Sequence, residues 1–282
     1  MLNVELTKFL LSIFNIQYSI FNILKEVLST HRFYVPPTQI IDDNVFIRGA
    51  DVWHISKVLR LSKGAEVIVF DGTGREYRVV LGKQKRREIL GTVLEQWDRN
   101  TESPLRLTVV QGLPKANKMD VIVRKATEIG VNEIIPLQSE RSVWNAKQKQ
   151  VRGEKVYQRL DRWSRIGIEA ARQSCRTAIP LIRPVVNIEE FLSQNLSADL
   201  KLLLWEEEQQ RGLKHALRDH TDSIRSAIVV IGPEGGFTQE EAQQFQANGY
   251  TPVSLGKRIL RTETASVVVL GILQYQFGDY SF

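Results

Sequence analysis

Two segments near the carboxyl end of this 282-residue chain carry residue types whose spacing could do chemistry. The first reads AIVVIGPEGGFTQEEAQQF. A buried-type strand runs into Gly232-Pro233-Glu234-Gly235-Gly236, and Thr238 with Glu241 opens the following helix in a capping box. Glycines at a strand exit let backbone approach a ligand closely, with the amides of the helix start pointing at it. A plain strand-to-helix turn uses glycines too, so their number alone decides nothing. The pattern matches neither the dinucleotide fingerprint nor the P-loop, and the carboxylate of Glu234 inside the loop would repel a pyrophosphate. The ligand that suits this loop presents hydroxyls, the edge of a base or a positive group.

The second segment, LGKRILRTETASVVVLGILQYQF, takes a short strand through a basic loop into a strongly apolar helix. Lys257, Arg258, Arg261 and Glu263 lie between two buried elements, where charges are costly unless paired. They read either as a salt-bridged loop or as the working end of a site on the same rim as the GPEGG loop. Thr262, Thr264 and Ser266 offer caps for the helix.

A third segment, EAARQSCR at 169–176, ends an arginine-bearing helix. Cys175 between Arg172 and Arg176 has no histidine near it in sequence, so a packed or incidental cysteine is the better reading than a catalytic thiol. Gln173 and Arg176 are candidates for the edge of a polyanion site. One cysteine and four histidines without HExxH or HxH spacing predict no metal, and the lone thiol fits a reducing, cytoplasmic compartment. Thirty-eight basic against 32 acidic residues leave a charge of +6, a mild bias toward polyanions. Residues 141–176 concentrate it, with ten Lys/Arg against Glu154, Asp161 and Glu169.

The elements that must position these groups follow from periodicity. Residues 31–100 read mostly as strands: VIVFDGTGREYRVVL places two β-rich runs around Asp71-Gly72-Thr73-Gly74, and KQKRR at 83–87 falls at the tip of a second hairpin. That basic tip is either a solvated turn or a nucleic-acid contact. Val52, Ile55 and Leu59 mark one short helix, and the whole predicts a small β-barrel. The polar DRNTESP stretch at 98–104 is the expected boundary. From 104 to 282 strands and helices alternate, with five strands (LRLTVVQGL, EIIPLQSE, LKLLLWEE, AIVVIGP and TPVSLG) predicting an α/β layer with a largely parallel sheet. Ligands of such sheets bind beyond the carboxyl ends of the strands. Residues 1–30 contain an apolar run interrupted by Asn15, Gln17 and Asn22, with Glu5 ahead of it. They read as an N-terminal extension rather than a signal peptide or membrane span.

The combination of RFYVP at 32–36, EAARQSCR, IGPEGGFTQEE and LGKRILRTETA, in this order, resembles the bacterial 16S ribosomal RNA uridine-N3 methyltransferase family of the SPOUT superfamily. The resemblance spans about residues 31–278. It implies a PUA-like RNA-binding barrel followed by a SPOUT domain with a C-terminal trefoil knot, a homodimer, and no association with a membrane. S-adenosylmethionine would be held by the strand end around Leu204, by Gly232, Pro233, Glu234, Gly235 and Gly236, and by Leu255, Gly256, Ile259, Leu260 and Thr262. The small-subunit RNA would meet Arg32, Arg172, Gln173, Arg176, Lys257 and Arg258. The sequence departs from the family at Arg172, where an acid is more usual, at Cys175, where glycine is, and at Lys257, where proline is.

The resemblance assigns methyl transfer to N3 of a uridine, with Arg261 facing a uracil carbonyl as negative charge builds up. Glu263 would orient Arg261 or accept the N3 proton; a capping role competes with both. A non-catalytic RNA-binding or ribosome-assembly protein is the alternative. A nucleotide-dependent oxidoreductase would need a fingerprint after its first strand, where the sequence reads QGLPKANKMD.

Overall fold

The computed structural model describes residues 31–98, 100–142, 154–218 and 224–280, and the chain divides between Arg99 and Asn100 into two units. The division falls within the polar 98–104 stretch. The N-terminal extension and much of the basic run, residues 143–153, lie outside the described residues.

The first unit is built from β1 (Arg32–Tyr34), β2 (Ile40–Ile41), β3 (Asn44–Arg48), α1 (Ala50–Trp53, continuing as a π-turn over His54–Val58), β4 (Glu66–Phe70), β5 (Arg75–Lys85) and β6 (Glu88–Asp98). They form one sheet in the order β1-β4-β5-β6-β3-β2, antiparallel except where β1 pairs with β4. Alternation in β3 and β5 sends Val45, Ile47, Tyr77, Val79 and Leu81 to one face, where they close on Phe33, Val52 and Ile55. Asp71 fixes the β4–β5 turn by accepting from the amide and hydroxyl of Thr73 at 2.8 and 2.7 Å. The KQKRR segment is exposed at the β5–β6 tip, as its charge requires.

The second unit contains β7 (Arg106–Gly112), α2 (Lys118–Ile129), β8 (Glu133–Gln138), α3 (Glu154–Gln173), β9 (Leu181–Ile182), β10 (Val186–Asn187), α4 (Ile188–Ser193), β11 (Leu200–Leu204), α5 (Leu213–Arg218), β12 (Ser226–Ile231), α6 (Gln239–Ala247), β13 (Thr251–Val253) and α7 (Thr262–Phe277). The five expected strands are joined by the two-residue β9 and β10. The order is β10-β8-β7-β12-β11-β13, with β9 beside β8, and every pairing is parallel.

Helices cover both faces. On one, Met119, Val123 and Ala126 of α2, Trp163 of α3 and Val269, Leu270 and Leu273 of α7 pack on Leu107, Val109, Leu202 and Val229. On the other, Phe191, Phe237, Phe245 and Tyr250 pack on Val110, Ile135, Leu203 and Val230. Gly130 ends α2 at φ 102°, its amide bonding to the carbonyls of Ala126 and Thr127. Cys175 holds φ 57° just beyond α3, in left-handed backbone that favours glycine.

Phe245, fully buried with ring centroids of Phe237 and Tyr250 each 5.4 Å away, anchors the helix that carries the GPEGG loop. Phe245→Ala should cost about 3–5 kcal/mol in urea denaturation, and a loss below about 1 kcal/mol would remove Phe245 from that role.

Candidate active site at the strand exits

The carboxyl ends of β7, β11, β12 and β13 converge, as a parallel sheet demands of strands whose connections return over its faces. Beside them lies a cavity of about 850 Å³. Its walls come from three chain segments: Leu204 to Gln209 after β11, Ile231 to Glu234 after β12, and Val253 to Thr262 between β13 and α7. Nine of the eleven expected cofactor contacts line it: Leu204, Gly232, Pro233, Glu234, Leu255, Gly256, Ile259, Leu260 and Thr262.

Gly235 and Gly236 do not line this cavity, because the chain turns away after Glu234. They serve packing instead. A Cβ on Gly235 would approach Cβ of Arg141 to 3.0 Å, and Nη1 of Arg141 donates to the Gly235 carbonyl at 3.0 Å. Gly236 sits at φ 65° beneath the carboxylate of Glu206, where a Cβ would fall 1.9 Å from Oε1. Thr262 reaches the wall, but its hydroxyl is committed to the Gly232 carbonyl at 2.6 Å.

Burial raises the pKa of Glu206, and the nearby Arg141 guanidinium offsets only part of that. Burial would raise Glu234 as well. There the hydrogen bond from the Lys118 ammonium, together with its own amide and that of Lys115, outweighs burial and holds the carboxyl below its ordinary value. The Glu234 carboxylate accepts from the Lys115 amide at 3.1 Å and pairs with Nζ of Lys118 at 2.9 Å.

Arg261 is exposed and lines the cavity as the residue preceding α7, its carbonyl accepting from the amides of Thr264 and Ala265. Glu263, expected to orient Arg261, pairs instead with Nζ of Lys118 at 3.5 Å, and no ion pair joins it to Arg261. The reason is geometric: at the first turn of α7 its side chain is set toward the start of α2, and its Oε2 is buried without a hydrogen bond.

The RNA candidates divide. Lys257 and Arg258 are exposed on the cavity wall and Gln173 is exposed at the end of α3. Arg172 is largely buried and pairs with Glu169 at 2.7 Å. Arg176 is a correction. Its side chain is 5% exposed, it pairs with Glu102 at 2.5 Å, and it donates to the carbonyls of Thr127 and Val131 at 2.9 Å each. Buried in this way, it closes the end of α2. Arg32, within the first unit, pairs with Glu76 at 2.7 Å and stacks over the Phe70 ring at 3.9 Å.

Sequence reading missed Gln111, Gly112, Lys118 and Arg141. Gln111 is fully buried; its Nε2 donates to Thr262 Oγ1 at 2.9 Å and to the Gly112 carbonyl at 3.0 Å, and its Oε1 accepts from Ser266 at 2.8 Å. Only a polar residue ending an otherwise apolar strand marked it in the sequence.

The residues present fit S-adenosylmethionine. The cavity is of ligand size, apolar side chains and free loop backbone suit an adenine and a ribose, and Glu206 and Glu234 suit a cation while disfavouring phosphate. Among the described residues no His/Cys/Asp/Glu cluster could hold a metal, and no helix is long and apolar enough to cross a membrane.

A parallel α/β unit with a phosphate-averse cavity at its strand exits, following a small β unit, defines a methyltransferase-like architecture. Family models agree: one described as an RNA methyltransferase domain matches residues 101–274, and one described as an RNA methyltransferase PUA domain matches residues 47–94. The ribosomal RNA small subunit methyltransferase E of Bacillus subtilis (strain 168) is 32% identical over 233 residues, spanning 82% of this chain and 89% of the relative. Its Synechocystis counterpart is 34% identical over 242 residues, spanning 85% and 76%. A Neisseria gonorrhoeae enzyme of that name, solved with S-adenosyl methionine, superposes with a TM-score of 0.77 at 31% identity, covering 89% of this chain and all of that one (100%). A Legionella pneumophila methyltransferase solved with bound cofactor SAM gives 0.78 at 29% identity, covering 89% and 99%. The chain belongs to the ribosomal RNA small subunit methyltransferase E family.

Gly112 sets the seat of the GPEGG loop, since a Cβ there would lie 2.5 Å from Cδ and 2.6 Å from N of Pro233. Gly112→Ala must push Pro233 away. Calorimetry should find S-adenosylmethionine binding weakened at least about tenfold, roughly 1.4 kcal/mol, and unchanged affinity would mean that this packing does not shape the cavity.

Proposed function

We propose that this chain transfers a methyl group from S-adenosylmethionine to N3 of a uridine in small-subunit ribosomal RNA. The observation that carries this reading is the cavity at the strand exits, walled by loop backbone and carboxylates, with Arg261 at the start of α7. A chain that only bound RNA would have no use for such a cavity. The donor supplies an electrophilic methyl carried on a sulfonium.

The tasks left to the protein are to align the uracil and to stabilise charge as the N3–H bond breaks and the N–C bond forms. Loop backbone at 204–206, 232–234 and 255–260 would hold the donor, with Glu206 and Glu234 providing charge opposite to a cation. Arg261, exposed and always protonated, is the group suited to face a carbonyl of uracil as anionic character grows. Glu234 and Glu263, both carboxylates at this end of the site, are the candidates to receive the N3 proton. Lys257 and Arg258 would contact phosphates, which fix register without reading sequence. The arginines of α3 would add to that surface.

The reading includes a SPOUT-type trefoil knot and a homodimer acting in the cytoplasm. The path of the C-terminal segment supports the knot. After pairing at the sheet edge, Ser254 donates to the Arg211 carbonyl and accepts from the Leu213 amide. By Thr262 the chain has crossed beside β11 to bond with Gly232 and Gln111 at the exits of β12 and β7.

Arg261→Ala separates chemistry from binding. Turnover on small ribosomal subunits should fall by about 10²- to 10³-fold, while the S-adenosylmethionine Kd moves less than about threefold. An active Arg261→Ala enzyme would take the residue out of the reaction. Loss of a single N3-methyluridine from small-subunit RNA of cells lacking the gene, read by mass spectrometry, tests the target base.

A further inference from the structure

Lys118 belongs to none of the motifs that point to the cofactor, yet its ammonium sits where three of the site's elements meet. It is the first residue of α2, its Nζ lies 2.9 Å from Glu234 Oε1 in the loop after β12, and it lies 3.5 Å from Glu263 Oε2 in the first turn of α7. All three side chains are mostly withdrawn from water, with exposures of 31%, 23% and 19%. The other end of the arrangement is also fixed, because the Lys115 amide holds the Glu234 carboxylate at 3.1 Å.

We propose that Lys118 is a positioning residue of the methyl-transfer site: one ammonium clamps the carboxylates of Glu234 and Glu263, tying the GPEGG loop to the turn that carries Arg261. The inference rests on the methyltransferase reading and deepens it. Both carboxylates lie within ion-pair distance of the one ammonium, which compensates charge on each. Glu263 has the most at stake, since its Oε2 is buried and the ammonium is what compensates it. A carboxylate that is to receive the N3 proton must be anionic, and Lys118 helps hold the Glu234 carboxyl below its ordinary value.

The charged groups facing the clamp are Glu234 from the loop and Glu263 from α7. On its own helix, Asp120 is taken by Arg162 of α3. The ammonium is in turn held protonated, first by its hydrogen bond to Glu234. An ordinary surface ion pair would matter little; this one joins three segments from positions 118, 234 and 263.

The test is the pH–rate profile of methyl transfer to small ribosomal subunits for wild type, Lys118→Met and Lys118→Arg, with S-adenosylmethionine affinity and thermal melting measured alongside. Removing the cation takes away the hydrogen bond that helps hold the Glu234 carboxyl below its ordinary value. The Met variant should therefore show its acid limb at higher pH, and, with the turn that carries Arg261 no longer held, should lose at least about tenfold in kcat. Cofactor affinity should change less than about threefold, and Lys118→Arg should return both rate and limb toward wild type.

If Lys118→Met does not fold, Lys118→Gln is read in the same way. An acid limb that stays in place in whichever neutral variant folds overturns the clamp while leaving the methyltransferase reading intact. A wild-type chain that transfers no methyl group overturns that reading, and the clamp with it.

Discussion

The site depends on one buried side-chain amide. Gln111, at the exit of β7, bonds at once to its own strand end, to Thr262 and to Ser266, while Thr262 passes the connection on to the Gly232 carbonyl. A buried amide with unmet hydrogen bonds would be a liability of a few kcal/mol, whereas a satisfied one specifies a single arrangement. Three stretches of chain, at 111, 232 and 262, are thereby fixed in one register. One is a loop at a strand exit and another the first residue of a helix, and neither has a sheet ladder of its own to hold it, so the cavity they border owes its shape to this network.

Charge is distributed around the cavity in a way that composition alone does not suggest. The net charge is +6, yet the wall carries Glu206, Glu208 and Glu234, while Lys257, Arg258 and Arg261 stand on the segment leading to α7. The acidic wall turns phosphate away and suits a cation. The basic segment suits a polyanion. A cationic methyl donor and an RNA substrate thus meet opposite fields within one site, and neither competes for the groups that serve the other.

The sequence made some of this legible and hid the rest for a physical reason. Strand-to-helix punctuation and the capping box at Thr238 and Glu241 are local signals, so the GPEGG loop, the α6 start and the parallel sheet could be read directly. Gly130 as a helix stop is local too. Lys118, Gln111 and Arg141 act through partners 116, 151 and 94 positions away, and no period or motif connects such pairs. Arg176 and Arg32 show the same limit from the other side: in a basic context both read as RNA contacts, and nothing local reveals their acidic partners. Their partners, Glu102 and Glu76, are 74 and 44 positions distant and draw them inside.

The unequal tethering of the cavity wall also explains where this chain can differ from its relatives. Thr262, Gly232 and Pro233 are held by buried bonds or by backbone seated against Gly112. Residues 256–259 are exposed throughout, and Ile259 remains 88% exposed. A residue there is constrained by what it meets and hardly by its own packing. Lys257 stands in that stretch, exposed on the cavity wall, where a change of side chain costs the fold little. At Thr262 or Gly112 no comparable freedom exists, because any change there propagates through Gln111 or Pro233 into the seat of the cofactor loop.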